Sequence, residues 1–147
     1  TSLIHGGDNQ EYGYRAGTLS VHNIVGFGKA AEIAMRDMKE YVKKLTELEV
    51  EFKKIIKGKY DNVEFLGDPD NHIPGTISMV IPGIHNEMFI RKLADRVALS
   101  SGSACSISEP SYVLDAIGKG DSNTNFLRVS FGKFNTFEDI CKIWEII

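Results

Sequence analysis

The sequence predicts an α/β or α+β domain in which one long helix precedes short strands that alternate with short helices. Three observations predict this class. Apolar residues recur at helical spacing after residue 20, short β-prone segments follow residue 60, and Gly, Pro and Asn clusters separate those segments. With 147 residues, 42% of them hydrophobic and 25% charged, the chain has the size and composition of one globular domain.

The first element is a loop over residues 1–19, which are rich in Gly and polar residues. A helix then begins after Ser20 and runs to about Gly58. A single straight helix of that length would exceed the dimensions of a compact domain, so we expect two helices or a strong bend. The residues predicted to face the core, with the two methionines as filler, are Ile24, Phe27, Ala31, Met35, Met38, Val42 and Leu45.

The remaining elements are short. Strands are predicted at 63–66, 76–81, 97–99 and 126–131. Helices are predicted over Asn86–Arg96, over Pro110–Ile117 and from Thr136 onward. These strands are too few and too short for a doubly wound parallel sheet. We therefore predict a small, mostly antiparallel sheet with helices on one face.

Composition excludes several classes of protein. The formal net charge of −3 lacks the basic excess of a nucleic-acid binder, and no apolar run approaches the roughly 20 residues that cross a membrane. Because the chain has only Cys105 and Cys141, a disulfide framework is not expected and a reducing, cytoplasmic setting is favoured. The histidines and cysteines have no metal-ligand spacing, so no metal site is predicted.

Cys105 is the first candidate for chemistry. It follows the small residues Ser100 to Ala104, and this segment has no periodicity that would bury a cysteine. Small residues leave a thiol accessible, as a thiolate nucleophile requires. An incidental free thiol on a polar loop is the alternative. Cys141 lies between Ile140 and Ile143 in a helical pattern, which predicts a packing residue.

Arg128 and Thr18 are the other candidates. Alternation in the last strand places Arg128 on one face with Phe126 and Ser130. A guanidinium at that position is either a bidentate clamp for a carboxylate or an edge-strand arginine facing water. Thr18 ends the run Arg15-Ala16-Gly17-Thr18 just ahead of the long helix, where a hydroxyl and free N–H groups can bind phosphate. A turn followed by a helix cap would explain the same run.

Three stretches together carry a family resemblance. The first joins His5-Gly6-Gly7 to the run ending at Thr18, the second is Ser100-Ser101-Gly102-Ser103-Ala104-Cys105 with Glu109-Pro110 after it, and the third is Leu127-Arg128-Val129-Ser130-Phe131-Gly132. In this order they resemble motifs of the NifS-type cysteine desulfurases, which are class V aminotransferase-like enzymes of fold type I. The resemblance implies the small C-terminal domain of that fold, with residues 1–19 as an active-site and dimer loop and residues 20–147 as the linking helix and small domain.

The resemblance also implies a function. Members of the family use pyridoxal 5'-phosphate (PLP) to convert L-cysteine to L-alanine, and they pass the sulfur on for iron–sulfur clusters or other sulfur compounds. Cys105 would carry the persulfide, Arg128 would hold the substrate carboxylate, and Thr18 would reach the PLP phosphate of the other subunit of a homodimer. A sulfur-acceptor or scaffold protein is the implied partner.

The PLP lysine motif of the family does not occur in this sequence. We therefore expect a C-terminal piece of a longer enzyme that is inactive alone. Two alternatives stay open, namely a selenocysteine lyase or cysteine sulfinate desulfinase of the same fold, and a thiol sulfur-carrier or redox domain that works without PLP. The second alternative gives Thr18 and Arg128 no role.

Overall fold

The structure is a computed structural model that describes residues 10–102 and 110–146, apart from the side chains of Trp144 and Ile146. The chain divides into two compact units, residues 1–38 and residues 39–147. Within the described residues, no helix has both the length and the apolar character needed to cross a membrane.

The long helix is one uninterrupted element. Helix α1 spans Val21–Lys59, so of the two predicted alternatives, two helices or a strong bend, the division into two helices is wrong. Leu19 and Ser20 lead into it, and the carbonyl of Ser20 accepts the N–H of Ile24 as the first helical hydrogen bond. Good helix formers such as Ala, Glu, Lys, Met and Leu fill its length, and no proline interrupts it.

In the first unit, the described residues are a short 3-10 turn, a loop and the first half of α1. The turn covers Gln10–Gly13, and its central residues Glu11 and Tyr12 have left-handed φ angles of 46° and 56°. The predicted core-facing residues of this half of α1 are exposed, which corrects our prediction that Met35 and Met38 fill the core. Apolar periodicity indicates which face can be buried, but it does not show what covers that face.

In the second unit, α1 is amphipathic and its apolar stripe is buried. The buried side chains follow helical spacing and are Leu45, Leu48, Glu49, Phe52 and Ile56. Gly75 fits closely against this stripe, since a Cβ at that position would lie 3.1 Å from Leu45 Cδ2. Its φ of 83° is also a conformation that glycine adopts without strain.

A three-stranded antiparallel sheet follows α1. Its strands are β1 (Glu64–Leu66), β2 (Thr76–Val80) and β3 (Phe126–Ser130), in the spatial order β1-β2-β3. Phe65 pairs with Met79 and Ile77 with Val129, which places apolar side chains together on one face. The fourth predicted strand, 97–99, does not form. Just after that segment, Ser100 pairs with Arg128 of β3 through an isolated antiparallel bridge.

The main core lies between this apolar face and the helices. It is formed by Leu48, Phe52, Ile56, Ile77, Met79, Ile81, Leu127, Val129, Ile140 and Ile143. Phe131 packs edge-on against Phe52 with ring centroids 5.5 Å apart. Helices α2 (Asn86–Leu93) and α4 (Phe137–Ile146) complete this layer. The predicted α+β architecture, a long helix and a small antiparallel sheet, is confirmed.

A smaller cluster lies on the opposite face of the sheet. Helix α3 (Tyr112–Ala116) places Leu114 against Val80 and Phe126. Helices therefore lie on both faces of the sheet, which corrects our prediction of helices on one face. Ser111 caps this helix, because its hydroxyl accepts the N–H of Leu114. This contact covers one end of the second face and leaves Arg128 and Ser130 of β3 exposed.

Candidate functional site

Arg128 lies on the open face of the sheet. It occupies the middle of the edge strand β3, and alternation places its neighbours Leu127 and Val129 in the core behind it. Its partner across the ladder is Ser78 of β2. The guanidinium is therefore mounted on a strand whose other face is fixed by packing, and its own face is exposed. This arrangement can present a fork of N–H donors to an anion.

Ser100 contacts Arg128 from the other side. The two residues exchange backbone hydrogen bonds, with the N–H of Arg128 2.7 Å from the Ser100 carbonyl oxygen and the N–H of Ser100 3.2 Å from that of Arg128. Arg128 Nη2 also donates to Ser100 Oγ at 3.2 Å. In the sequence, Ser100 is only one of the small residues that precede Cys105. Residue spacing does not show which residue bridges the edge of a sheet.

The loop ahead of α1 is held by its own arginine. Arg15 Nη1 donates to the carbonyl oxygens of Gly17, at 2.6 Å, and Thr18, at 3.3 Å. Gly17 has a φ of 102°, which favours glycine at this turn. Thr18 is exposed, and its hydroxyl has no hydrogen-bond partner among the residues that the structure describes. It is therefore available as a donor close to the N-terminus of α1.

The predictions for the two cysteines can be compared with the structure only at Cys141. Cys105 lies outside the described residues, so its predicted role stays a prediction. Cys141 is exposed on α4, which corrects our prediction that it packs in the core. Helical spacing places Cys141 next to Ile140, and only Ile140 faces inward. Of the three predicted site residues, the structure describes Thr18 in the first unit and Arg128 in the second.

A polar cluster around the buried Glu49 was not predicted from the sequence. Glu49 Oε1 accepts hydrogen bonds from Lys53 Nζ at 2.6 Å and from His72 Nε2 at 2.8 Å, and Oε2 accepts the N–H of Gly75 at 2.8 Å. Burial raises the pKa of Glu49, but these donors outweigh that effect and hold the pKa below its ordinary value. The pair Glu49 and Lys53 has i,i+4 spacing, which the helical pattern contains, but the loop residues His72 and Gly75 could not be assigned to it from sequence.

The family described as Aminotransferase class-V matches residues 4–143 of this chain. The chain belongs to the class-V aminotransferase family. The match includes the loop with Thr18, the segment with Cys105 and the strand with Arg128, so all three candidate residues lie within the matched range.

Two named relatives that the chain resembles are cysteine desulfurases. A mitosomal cysteine desulfurase of Encephalitozoon cuniculi is 38% identical over 141 residues, which cover 94% of this chain and 32% of the relative. The cysteine desulfurase IscS of Vibrio atlanticus is 41% identical over 143 residues, covering 93% of this chain and 34% of the relative. The chain spans about a third of the length of the curated relatives that it matches.

Solved structures agree with this assignment. The NifS-like protein of Rickettsia africae superimposes with a TM-score of 0.81 at 29% identity, over 99% of this chain and 38% of that protein. A second structure titled NifS-like protein gives the same TM-score at 27% identity, over 98% of this chain and 37% of the other. The fold of this class-V aminotransferase chain is therefore that of one part of the NifS-like proteins.

Proposed function

We propose that this chain is the C-terminal part of a PLP-dependent cysteine desulfurase, which converts L-cysteine to L-alanine and transfers the sulfur to Cys105 as a persulfide. The observation that carries the proposal is the set of cysteine desulfurases that are 38–41% identical to it over more than nine-tenths of its length. The sulfur would serve iron–sulfur cluster assembly or the synthesis of other sulfur compounds. Because the chain covers a third of these relatives, the reaction belongs to the longer protein.

The loop before α1 fits one end of the cofactor. Thr18 offers a hydroxyl without a hydrogen-bond partner in residues 10–102 and 110–146, and the N-terminus of α1 favours a negatively charged group nearby. Arg15 holds the carbonyl groups of Gly17 and Thr18, which fixes the loop for such a contact. We therefore assign Thr18 to the phosphate of PLP bound in the other subunit of a homodimer. PLP, when bound, supplies the electron sink for the chemistry, and its lysine belongs to the part of the enzyme outside this chain.

Arg128 is assigned to the substrate carboxylate. A guanidinium binds a carboxylate with two parallel hydrogen bonds, which fixes both the position and the orientation of an amino acid. The exposed side chain on the open face of the sheet is accessible to a small ligand, and the packed strand behind it limits its movement. An edge-strand arginine facing water has the same exposure, so the substrate assignment depends on the family relationship as well as on the geometry.

Cys105 is assigned to the sulfur transfer. Its thiolate attacks the sulfur of the bound cysteine, an S–S bond forms, and the bond between that sulfur and the substrate carbon breaks. The electron pair left on the substrate is protonated, which yields alanine. The sulfur then passes from Cys105 to an acceptor protein. We also propose that the enzyme works in the cytoplasm.

The test uses the full-length protein and its two cysteines in this chain. Cys105→Ser is expected to abolish both persulfide formation and alanine release while leaving bound PLP in place, as measured by mass spectrometry, alanine analysis and cofactor absorbance. Cys141→Ser is the matched control and is expected to retain turnover, because Cys141 lies on the outer side of α4. Full alanine release by Cys105→Ser would refute the proposed function.

A further inference from the structure

Arg128 is flanked by a serine on each side of its strand. Ser78 is its partner in the β2 ladder, and Ser100 is its partner in the isolated bridge. Directly opposed residues of antiparallel strands place their side chains on the same face. Both serines therefore share the open face with the guanidinium, and their small side chains leave the space above it accessible.

Only one of the two serines binds the guanidinium in the described structure. Ser100 Oγ accepts a hydrogen bond from Arg128 Nη2 at 3.2 Å, and two backbone hydrogen bonds of 2.7 and 3.2 Å fix Ser100 beside Arg128. The backbone bridge between the two residues therefore holds the Ser100 hydroxyl beside the guanidinium that it contacts. Ser78 is held in the ladder in the same way but makes no hydrogen bond to Arg128.

We propose that Ser100 is a positioning residue for Arg128, an inference that rests on the proposed function. An arginine side chain has many rotamers, and ordering it on binding costs free energy. A hydrogen bond to Ser100 restricts those rotamers before substrate arrives. The guanidinium has five N–H donors, and Ser100 uses one. The remaining four still include a pair that can bind a carboxylate.

The role of Ser100 is separate from that of Arg128. Ser100 does not touch the substrate in this proposal, and it changes the affinity for a carboxylate by holding the group that does. Its loss should therefore weaken substrate binding without slowing the chemical step. Alanine at position 100 keeps the backbone bridge and removes only the hydroxyl, whereas threonine keeps the hydroxyl.

The experiment compares Ser100→Ala, Ser100→Thr and the matched control Ser78→Ala in the full-length PLP-containing protein. We expect Ser100→Ala to raise the KM for L-cysteine about 3- to 10-fold, with kcat changed less than about twofold. Ser100→Thr should restore KM, and Ser78→Ala should not change it. Calorimetric titration with L-alanine, which carries the carboxylate but no thiol, should show the same loss of affinity in Ser100→Ala.

The outcomes separate this inference from the proposed function. An unchanged KM and an unchanged L-alanine affinity in Ser100→Ala would overturn the positioning role while leaving the desulfurase proposal intact. An equal rise in KM in Ser78→Ala would also overturn the positioning role, because any serine lost from this face of the sheet would then have the same effect. If the full-length protein binds L-alanine through Arg128 and Ser100 but releases no sulfur from cysteine, the positioning role stands and the proposed function fails.

Discussion

His72 Nε2 lies 2.8 Å from Glu49 Oε1, and this contact connects the loop ahead of β2 to the C-terminal half of α1. The side chain of Glu49 is only 5% exposed, so its carboxylate depends on hydrogen-bond donors to compensate for the water that it has lost. Lys53 shares Oε1, and the N–H of Gly75 binds Oε2. A single carboxylate therefore joins two segments that are 23 to 26 residues apart in sequence.

Glu49→Gln is expected to lower the free energy of unfolding by about 2–4 kcal/mol, because the neutral amide removes the buried anion that Lys53, His72 and the N–H of Gly75 bind. The measurement is urea unfolding at pH 7. Glu51→Gln is the matched control, since Glu51 lies on the same helix with its side chain 37% exposed and 3.7 Å from Lys54. The control should change stability by less than about 0.5 kcal/mol. Equal effects of the two substitutions would contradict the structural role of Glu49.

Stability is also expected to fall in acid. The pKa values of Glu49 and Asp139 are both lowered in the folded state, Asp139 chiefly by the N–H of Thr136 at the start of α4. A folded pKa below the unfolded one means that the unfolded state binds more protons as pH falls. This stabilisation is therefore complete above the unfolded values of about 4, and it is lost as pH drops through the folded pKa values.

Unfolding measured between pH 3 and pH 6 checks this prediction. The difference in stability between the unmodified protein and Glu49→Gln should shrink as pH falls below about 4, because the carboxyl group then becomes neutral like the amide. A difference that stays constant over this range would show that the charge of Glu49 does not contribute.

Two neighbouring positions on α1 test the amphipathic stripe. Leu48 is fully buried in the main core, whereas Val50 is 61% exposed. Leu48→Ala is expected to cost about 3 kcal/mol of unfolding free energy through lost burial and the cavity left behind. Val50→Ala should change it by less than about 0.5 kcal/mol. Urea unfolding measures both free energies. A large loss of stability in Val50→Ala would show that Val50 belongs to the buried face of α1 and would contradict this assignment of the face.

The sequence allowed the elements of this fold to be predicted because their patterns are local. Alternation in β3 correctly placed Leu127 and Val129 opposite Arg128, and helical spacing correctly located α1. The same spacing misplaced Met35 and Cys141. Periodicity identifies a face, but burial depends on what another part of the protein brings to that face.

The candidate site was predicted only in part for a related reason. Arg128 and Thr18 lie in short motifs that resemble those of a known family, so each could be named from the sequence. The contact of Ser100 with Arg128 joins residues 28 positions apart, and that of His72 with Glu49 joins residues 23 apart. Such pairs are set by strand register and loop path, which a single sequence does not specify.

Arg128→Lys tests whether the fork of the guanidinium, rather than its charge, binds the substrate. Lysine retains a positive charge but presents a compact ammonium that cannot make two parallel hydrogen bonds to one carboxylate. In the full-length protein we expect the KM for L-cysteine to rise at least about 10-fold, in line with roughly 1.5–3 kcal/mol for a hydrogen bond to a charged group. Arg96→Lys is the matched control, because Arg96 is exposed and its nearest carboxylate, on Asp95, is 4.0 Å away. The control should leave KM unchanged. If Arg128→Lys also left KM unchanged, charge alone would explain substrate binding at this position and the bidentate role of Arg128 would be wrong.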